Sequence, residues 1–285
     1  MKLVSYQGKE GARVAAMVEG GYVDLHQADP RIPVSLKELL ALGTEGLALA
    51  RLAAQRGTKI PEVRLLAPIA DPQKIIGVGL NYADHAQETG AKVGAEPVIF
   101  NKFPTTVRAT GDPIVLPAVS SQVDFEAELV AVIGRPCRNV VQSEAASYVA
   151  GYMCGHDVSA RDWQKGKPGL QWLLGKSFDS FAPCGPYLMT ADEVGDPGAL
   201  SIQLRLNGKV MQKSNTDQLI FSVPFLVSYL SQVTTLLPGD LIFTGTPSGV
   251  GVARDPQVFL RPGDVVEVEI EKLGILINPV VAPLA

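Results

Sequence analysis

The sequence lacks the features that mark several classes of protein. Its 285 residues contain no run of about 18 apolar residues, the length that a transmembrane helix needs. No stretch rich in lysine and arginine occurs in a chain with a formal net charge of -4, which argues against nucleic-acid binding. Residues 1–6 lack the apolar core of a secretory signal peptide. We therefore expect neither a membrane nor a nucleic acid as a partner.

Cysteine is scarce and scattered. The three cysteines, Cys137, Cys154 and Cys184, lie far apart, and none belongs to a CxxC pair. Their odd number and wide spacing predict free thiols in a reducing compartment. We therefore expect a cytoplasmic protein, although a short matrix-targeting segment could have been removed from the chain.

Two units are predicted along the chain, a small N-terminal domain of residues 1–70 and a catalytic domain of residues 71–285. In the first, Gly20-Gly21 predicts a hairpin turn between two short strands. A pattern rich in leucine and alanine predicts a helix over residues 35–54. The total length suits one large domain with a small one beside it.

Short strands dominate the predicted second unit. Turn signals such as Asn207-Gly208 and Pro238-Gly239-Asp240 separate its apolar runs. This pattern favours a β-sandwich or rolled barrel over a parallel doubly wound sheet, so we predict an α+β fold that is mainly β. The main predicted strands cover residues 74–78, 98–101, 125–133, 148–158, 201–206, 241–244 and 265–270. The predicted helices cover residues 82–88, 144–148 and 223–231.

An acidic strand is the most informative segment. Asp124, Glu126 and Glu128 would project from one face of a strand, because side chains two residues apart share a face. An exposed edge strand could carry these acids without a ligand. The following residues, 129–133, are apolar on both faces, which predicts a buried strand. Burying neighbouring carboxylates is costly unless a positive charge lies between them, so this context favours a bound cation.

Asp157 is a third candidate acid, at the end of another apolar strand. Alone, it could simply cap the turn that follows. Together with Glu126 and Glu128 it makes a set of three carboxylates, whose hard oxygen ligands suit Mg²⁺, Mn²⁺ or Ca²⁺ and do not select Zn²⁺. Three protein ligands leave open positions on an octahedral ion, and a 2-oxo acid could fill two of them.

His85 and Glu88 form a candidate catalytic pair. On a helix they stand three residues apart and share a face, so the carboxylate could orient the imidazole and raise its basicity. The alternative is a solvated helix face, on which such pairs are common.

Five motifs follow one another along the chain. They are Gly77-Val78-Gly79-Leu80-Asn81-Tyr82, Asp124-Phe125-Glu126-Ala127-Glu128, Gly155-His156-Asp157-Val158-Ser159-Ala160-Arg161-Asp162, Gly175-Lys176-Ser177-Phe178-Asp179 and Thr244-Gly245-Thr246-Pro247-Ser248-Gly249-Val250-Gly251. In this order they resemble the fumarylacetoacetate hydrolase superfamily over about residues 70–285. The likeness is closest to the branch of fumarylacetoacetate-hydrolase-domain proteins of the second type, which includes 2,4-diketo-3-deoxy sugar-acid hydrolases. It implies a mixed β-sandwich roll, a homodimer, and metal ligation by Glu126, Glu128 and Asp157, without direct ligation by Asp124.

The resemblance also implies roles for further side chains. His85 and Glu88 would sit on a short lid helix, and Lys176 would bind the substrate carboxylate or a developing oxyanion. Alternatively, Lys176 could be a structural residue whose apolar stem is buried while its ammonium group reaches the surface. The remaining implied substrate contacts are Arg161, Gln164 and Thr246.

Structural interpretations apply to the loop around Thr246 and to two histidines. The glycines around Thr246 could be turn residues only, and the absence of a GK[ST] sequence excludes a P-loop there. We interpret His26 and His156 as structural, with His156 on the opposite strand face from Asp157.

The function that this resemblance implies is Mg²⁺-dependent hydrolysis of a carbon–carbon bond in a 2,4-dioxo acid. An acylpyruvate, or a sugar acid such as 2,4-diketo-3-deoxyrhamnonate, would give pyruvate and a carboxylic acid, with His85 as the base that activates water. The alternative is decarboxylation or tautomerisation of oxaloacetate through the same enolate chemistry. A non-enzymatic reading, in which metal only cross-links strands, predicts that Glu126→Ala unfolds the protein.

Overall fold

The structure is a computed structural model that describes residues 1–90 and 92–283. Its strands are β1 (Lys2–Gly8), β2 (Gly11–Val18), β3 (Gly21–Asp24), β4 (Lys59–Ile60), β5 (Leu65–Leu66), β6 (Ile75–Gly79), β7 (Val98–Lys102), β8 (Val107–Arg108), β9 (Ile114–Val115), β10 (Val123–Asp124), β11 (Ala127–Ile133), β12 (Val149–His156), β13 (Ser159–Ala160), β14 (Ala182–Thr190), β15 (Ser201–Leu206), β16 (Lys209–Asn215), β17 (Leu241–Phe243), β18 (Val265–Ile270) and β19 (Gly274–Val281).

The helices are short. They are α1 (Leu25–Ala28), α2 (Leu36–Ala41), α3 (Gly43–Arg56), α4 (Ala83–Thr89), α5 (Gln142–Ala145), α6 (Arg161–Gln164), α7 (Trp172–Lys176), α8 (Ala191–Val194) and α9 (Val223–Val233). Single 3₁₀ turns cover Pro104–Thr106, Ala146–Tyr148, Thr216–Gln218 and Gly251–Ala253. No helix among the described residues has the length and apolar character needed to cross a membrane.

The N-terminal segment forms a β-meander with helices against it. The hairpin predicted at Gly20-Gly21 is confirmed, since β2 pairs antiparallel with β3 and both glycines have positive φ. The single helix predicted over residues 35–54 is wrong, because the chain forms α2 and α3 there. Leu42 lies between them, and Gly43, the first residue of α3, has a φ of 62°, a left-handed conformation that glycine adopts without steric cost.

Two sheets make up the body of the protein. The larger runs in the order β4-β3-β2-β1-β14-β12-β11-β17-β6-β7, with β5 paired to β1 and β8 to β14. The second runs β16-β15-β18-β19-β9. Most pairs are antiparallel, but β17 and β6 run parallel, as do β19 and β9. The predicted fold class, mainly β with mixed sheets and additional helices, is therefore confirmed.

Strands β11 and β12 lie at the centre and are covered on both faces. Leu129 shares one buried cluster with Leu204 and Val268 of the second sheet. Val130, its neighbour, lies in another cluster with Leu36 and Leu39 of α2. This double covering explains why residues 129–133 are apolar on both faces.

The N-terminal strands are continuous with the larger sheet, because Lys2 and Leu3 of β1 pair with Met189 and Leu188 of β14. The division into domains of residues 1–70 and 71–285 stays a prediction, and its last two residues lie outside the described part of the chain.

Candidate active site

Three carboxylates converge where the central strands end. Glu128 projects from β11, and Glu126 lies two residues earlier, between β10 and β11, because the predicted strand over residues 125–133 begins only at Ala127. Asp157 follows β12 directly, and its backbone N–H donates to the carbonyl of Glu126 at 3.0 Å. One carboxylate oxygen of each residue lies within 4.8 Å of the others, and all three side chains are buried. The structure thus brings together the three predicted metal ligands.

Buried basic side chains neutralise part of this negative charge. Lys176 donates from Nζ to Glu126 Oε2 at 2.8 Å and to Asp157 Oδ2 at 2.6 Å. Arg161 donates from Nη2 to Glu126 Oε1 at 2.6 Å. Lys102 donates to Asp157 Oδ1. Burial alone would disfavour the charged form of Glu126, but Lys176 and Arg161 outweigh it and lower the pKa of Glu126.

Asp124 is occupied by other partners. Its carboxylate accepts hydrogen bonds from Arg161 Nε at 2.8 Å and from the backbone N–H groups of Gly251 and Val252 at 2.7 and 3.0 Å. This acid therefore holds Arg161 and a loop in place and has little capacity left for a metal ion.

Of the three clustered carboxylates, Glu128 has the fewest partners that offset its negative charge. It accepts one hydrogen bond, from the backbone N–H of Gly245 at 2.8 Å, and pairs with no basic side chain among the described residues. Burial, followed by repulsion from Asp157 and Glu126, raises its pKa well above the usual value. A divalent cation would remove that penalty, and an all-oxygen donor set of this spacing fits a hard ion such as Mg²⁺ or Mn²⁺.

The predicted catalytic pair is formed on α4. His85 Nδ1 lies 3.0 Å from Glu88 Oε2, and Glu88 Oε1 accepts the backbone N–H of Gly249 at 2.8 Å. Glu88 is thereby fixed from two sides, which leaves His85 Nε2 as the ring nitrogen available for chemistry.

A cavity of about 200 Å³ connects these groups. Among the predicted site residues, Asp157 and Glu88 do not line the cavity. Asp157 bonds to Lys176 and Glu88 contacts His85, and these two partners do line it. The predicted residues that line it are His85, Glu126, Glu128, Arg161, Gln164, Lys176 and Thr246.

The glycine-rich loop that follows β17 has a defined task. Its backbone N–H groups donate to Glu128, Glu88 and Asp124, so one segment contacts a predicted metal ligand, the predicted catalytic pair and the acid that holds Arg161. Gly251 is required sterically, because an added Cβ would lie 1.8 Å from the carbonyl oxygen of Val258 and 2.5 Å from the Asp124 carboxylate. The glycines are therefore more than turn residues.

The predicted substrate contacts have protein partners as well. Gln164 accepts from Arg161 Nη1 at 3.0 Å, and Thr246 Oγ1 accepts from Gln212 Nε2 at 2.8 Å. The Lys176 ammonium lies between two of the predicted metal ligands. Its role toward a substrate carboxylate or oxyanion stays a prediction, as do the roles of Arg161, Gln164 and Thr246.

The family match covers most of the chain. Residues 74–281 match the family described as fumarylacetoacetate (FAA) hydrolase C-terminal. The chain belongs to the fumarylacetoacetate hydrolase family. It is 46% identical over 288 residues to oxaloacetate tautomerase fahd2, mitochondrial, of Xenopus laevis, with 99% of this chain and 90% of that protein covered. It is 47% identical over 266 residues to oxaloacetate tautomerase FAHD2A, mitochondrial, of Homo sapiens, covering 92% of this chain and 84% of that one.

Solved structures of this family show the same fold. The fumarylacetoacetate hydrolase of Exiguobacterium antarcticum is 35% identical, with a TM-score of 0.88 and 99% of both chains covered. Maleylpyruvate hydrolase of Sphingobium sp. SYK-6, solved with manganese(II) and pyruvate, is 30% identical, with a TM-score of 0.84 and 100% of both chains covered. Since the relatives are tautomerases and hydrolases, the protein is an enzyme of the fumarylacetoacetate hydrolase superfamily.

The cytoplasmic location expected from the cysteines is contradicted by these comparisons. The names of the Xenopus laevis and Homo sapiens relatives describe mitochondrial proteins. Free buried thiols agree with a reducing environment but do not distinguish the cytoplasm from the mitochondrial matrix.

Sequence reasoning missed Lys102 and Gln212. On β7 the buried positions are Phe100 and Lys102, while Ile99 and Asn101 are exposed, so the signal was a lysine on the buried face of an alternating strand. Gln212 gave no comparable signal. Its amide accepts from the backbone N–H of Ala127 at 2.8 Å and donates to Thr246, a tertiary link that local sequence does not encode.

The two histidines interpreted as structural lie away from the cavity. His26 Nδ1 is 2.6 Å from the carbonyl oxygen of Ile32. His156 is buried, and neither ring nitrogen has a hydrogen-bond partner within the described residues. Burial and the nearby Lys102 lower the pKa of His156 to about 3, so its ring is neutral.

Proposed function

We propose that the protein is a divalent-cation-dependent tautomerase that interconverts the enol and keto forms of a 2-oxo acid of the oxaloacetate type. The observation that carries the proposal is that His85 and the carboxylates Glu126 and Glu128 line one cavity. Such a site places a base beside a cation-binding group. The names of the vertebrate relatives, oxaloacetate tautomerases, support the same reaction.

Glu126, Glu128 and Asp157 would hold Mg²⁺, or the Mn²⁺ that the maleylpyruvate hydrolase relative contains. The cation, when bound, supplies Lewis-acid stabilisation of negative charge on the 2-oxygen. Lys102, Arg161 and Lys176 orient its ligands through their hydrogen bonds.

His85 serves as the proton carrier in this proposal. In the keto-to-enol direction, Nε2 takes a proton from C3, the C–H electron pair forms the C2–C3 double bond, and the carbonyl π pair moves onto the 2-oxygen. The imidazolium then gives the same proton to the 2-oxygen. The reverse direction returns the proton to C3, so atoms and charge balance without a co-reactant. Glu88 keeps Nδ1 protonated and holds the ring in orientation through their 3.0 Å contact.

The second candidate is carbon–carbon bond hydrolysis of a 2,4-dioxo acid. The His85–Glu88 pair favours it, because a histidine oriented by a carboxylate can also remove a proton from water. Maleylpyruvate hydrolase, at 30% identity, is a relative whose name describes a hydrolase.

Parallel assays of one preparation separate the candidates. We expect the protein with Mg²⁺ to accelerate conversion of enol-oxaloacetate to the keto form, measured by the loss of enol absorbance. We expect little pyruvate release from an acylpyruvate, and little CO₂ release from oxaloacetate. Pyruvate release from the acylpyruvate without any effect on oxaloacetate tautomerisation would overturn the proposal and favour hydrolysis.

A further inference from the structure

Lys165 differs from the other cations of the cavity. It follows α6 directly and lines the cavity with Arg161 and Lys176. Arg161 and Lys176 are both paired with carboxylates, whereas the side chain of Lys165 makes no hydrogen bond or ion pair within residues 1–90 and 92–283. The cavity therefore contains a basic side chain that has no acidic partner from the described chain.

Its position is at the mouth of the cavity. Glu126 and Glu128 are 5% and 1% exposed and form the floor, while Lys165 is exposed to solvent. A small acid whose keto end faces the two carboxylates would extend its other end toward Lys165.

The surroundings of Lys165 are also favourable to an anion. Partial burial, and then repulsion from Arg161, lower the pKa of its ammonium group. An anionic group placed against it would relieve both effects.

The charge of the site fits a dianion. The buried cluster contains four carboxylates and three basic side chains, Lys102, Arg161 and Lys176, which together leave one negative charge. A divalent cation changes that to one positive charge, and Lys165 adds a second. A ligand with two carboxylates can pair with both the cation-bearing cluster and Lys165, whereas a monocarboxylate leaves Lys165 unpaired, and Glu88 beside His85 adds one further negative charge to the site.

We propose that Lys165 binds the second carboxylate of a 2-oxo dicarboxylate, the one that is not adjacent to the keto group. Lys165 is then a specificity-determining residue that selects dicarboxylates over 2-oxo acids with a neutral distal end. This assignment rests on the proposed function, in which the keto end faces the metal-ligand carboxylates.

The test compares oxaloacetate with its 4-methyl ester, which lacks the distal charge. We expect the wild type to prefer the dianion, and Lys165→Met to lower kcat/KM for oxaloacetate by about 10- to 100-fold, mainly through KM, since a hydrogen bond between charged groups is lost. The ester should be turned over equally by both. Lys165→Arg should retain most of the preference. Lys167→Met is the matched control, because Lys167 lies over the Trp163 ring at 4.6 Å and is not in the cavity wall.

Measurements of ligand affinity test the role of Lys165 independently of catalysis. Calorimetry with Mg²⁺ would compare N-oxalylglycine with N-ethyloxamate, which are close in size and differ in the distal carboxylate. If the wild type does not tautomerise oxaloacetate but Lys165→Met abolishes its preference for N-oxalylglycine, the proposed function fails and the role of Lys165 stands. If Lys165→Met keeps the wild-type ratio of affinities, or the wild type shows no preference, the inference about Lys165 is overturned.

Discussion

The ammonium of Lys102 donates a hydrogen bond to Oδ1 of Asp157, and both side chains are fully buried. Lys102 also donates to the carbonyl oxygen of Val158 at 3.2 Å. The second carboxylate oxygen of Asp157 accepts from Lys176 at 2.6 Å. Two lysines thus fix the orientation of this candidate metal ligand, one from each oxygen.

Replacing Lys102 should weaken metal binding. Because supporting partners orient metal ligands, we expect Lys102→Met to raise the Kd for Mn²⁺ by about 10- to 100-fold. Calorimetric titration of metal-depleted protein measures this, with circular dichroism to check folding. Lys74→Met is the control, since Lys74 forms a 3.0 Å ion pair with Asp240, which is not one of the three clustered carboxylates. Equal affinities in the Lys102 variant and the wild type would contradict the positioning role.

Glu128→Gln should separate a catalytic metal from a structural one. Removing this charge relieves repulsion among buried carboxylates, so the metal-free variant should be more stable than the metal-free wild type, by about 1–4 kcal/mol. It should lose the rise in Tm that Mn²⁺ gives the wild type, and lose activity. An unfolded Glu128→Gln protein would instead support a cation that only cross-links strands.

Glu126→Ala does not distinguish a catalytic metal from a metal that only cross-links strands. Glu126 accepts hydrogen bonds from both Arg161 and Lys176. Its removal would leave two buried cations short of a partner and destabilise the fold with or without a metal.

His85 and Glu88 should affect turnover without affecting metal affinity. We expect His85→Asn to lower kcat by about 10²- to 10⁴-fold, the usual contribution of a general base, and Glu88→Gln to have a smaller effect. Mn²⁺ titration should give the wild-type Kd for both variants, because neither residue is among the three clustered carboxylates. Full activity in the His85 variant would make the proposed proton transfer wrong.

Acid stability should depend on Asp24. Burial opposes ionisation of this carboxyl, but hydrogen bonds from Arg13 and Tyr6 outweigh burial and lower its pKa. A carboxyl with a lowered folded-state pKa stabilises the protein fully above its unfolded-state pKa of about 4, and that stabilisation is lost as the pH falls through the folded-state value. Asp24→Asn should therefore lower Tm at pH 7 and show a shallower decline in Tm below pH 4. Parallel Tm curves for the two proteins would contradict this assignment.

A homodimer is expected, and strand β7 suggests where it forms. This strand ends the larger sheet and exposes Val98 and Ile99, beside Phe103 and Val233. An exposed apolar edge strand is a common site of association between chains. Light scattering should give about twice 30.3 kDa for the wild type and for the control Val119→Glu, and the monomer mass for Ile99→Glu. A monomeric wild type would make the expectation wrong, and a dimeric Ile99→Glu would place the interface elsewhere.

Local patterns were sufficient for much of the fold. Strands Ser201–Leu206 and Val265–Ile270 have the bounds that the sequence predicts, because alternating burial and flanking turn residues encode them directly. The pattern predicts that Asp124, Glu126 and Glu128 share a strand face and that this strand is buried, but the family resemblance was needed to select Glu126, Glu128 and Asp157. In the structure Glu126 lies between β10 and β11.

Long-range pairing explains what the sequence did not predict. The contact between β1 and β14 joins residues about 185 positions apart in the chain, and no local signal encodes it. Lys102 becomes meaningful only once the fold brings it to Asp157. The break between α2 and α3 occurs beside one glycine in an otherwise helical pattern. Helix propensity alone distinguishes only weakly between a helix that continues through such a glycine and one that ends there.

A cation held by Glu126, Glu128 and Asp157 should be required for tautomerisation. The most direct measurement is the rate of enol-oxaloacetate ketonisation by metal-depleted protein during stepwise addition of Mg²⁺, with Glu128→Gln at each concentration to correct for free metal. The account predicts a wild-type rate that rises with site occupancy and saturates at one ion per chain, while the variant stays at the background rate. A wild-type rate that is independent of Mg²⁺, or equal to that of the variant at saturation, would contradict it.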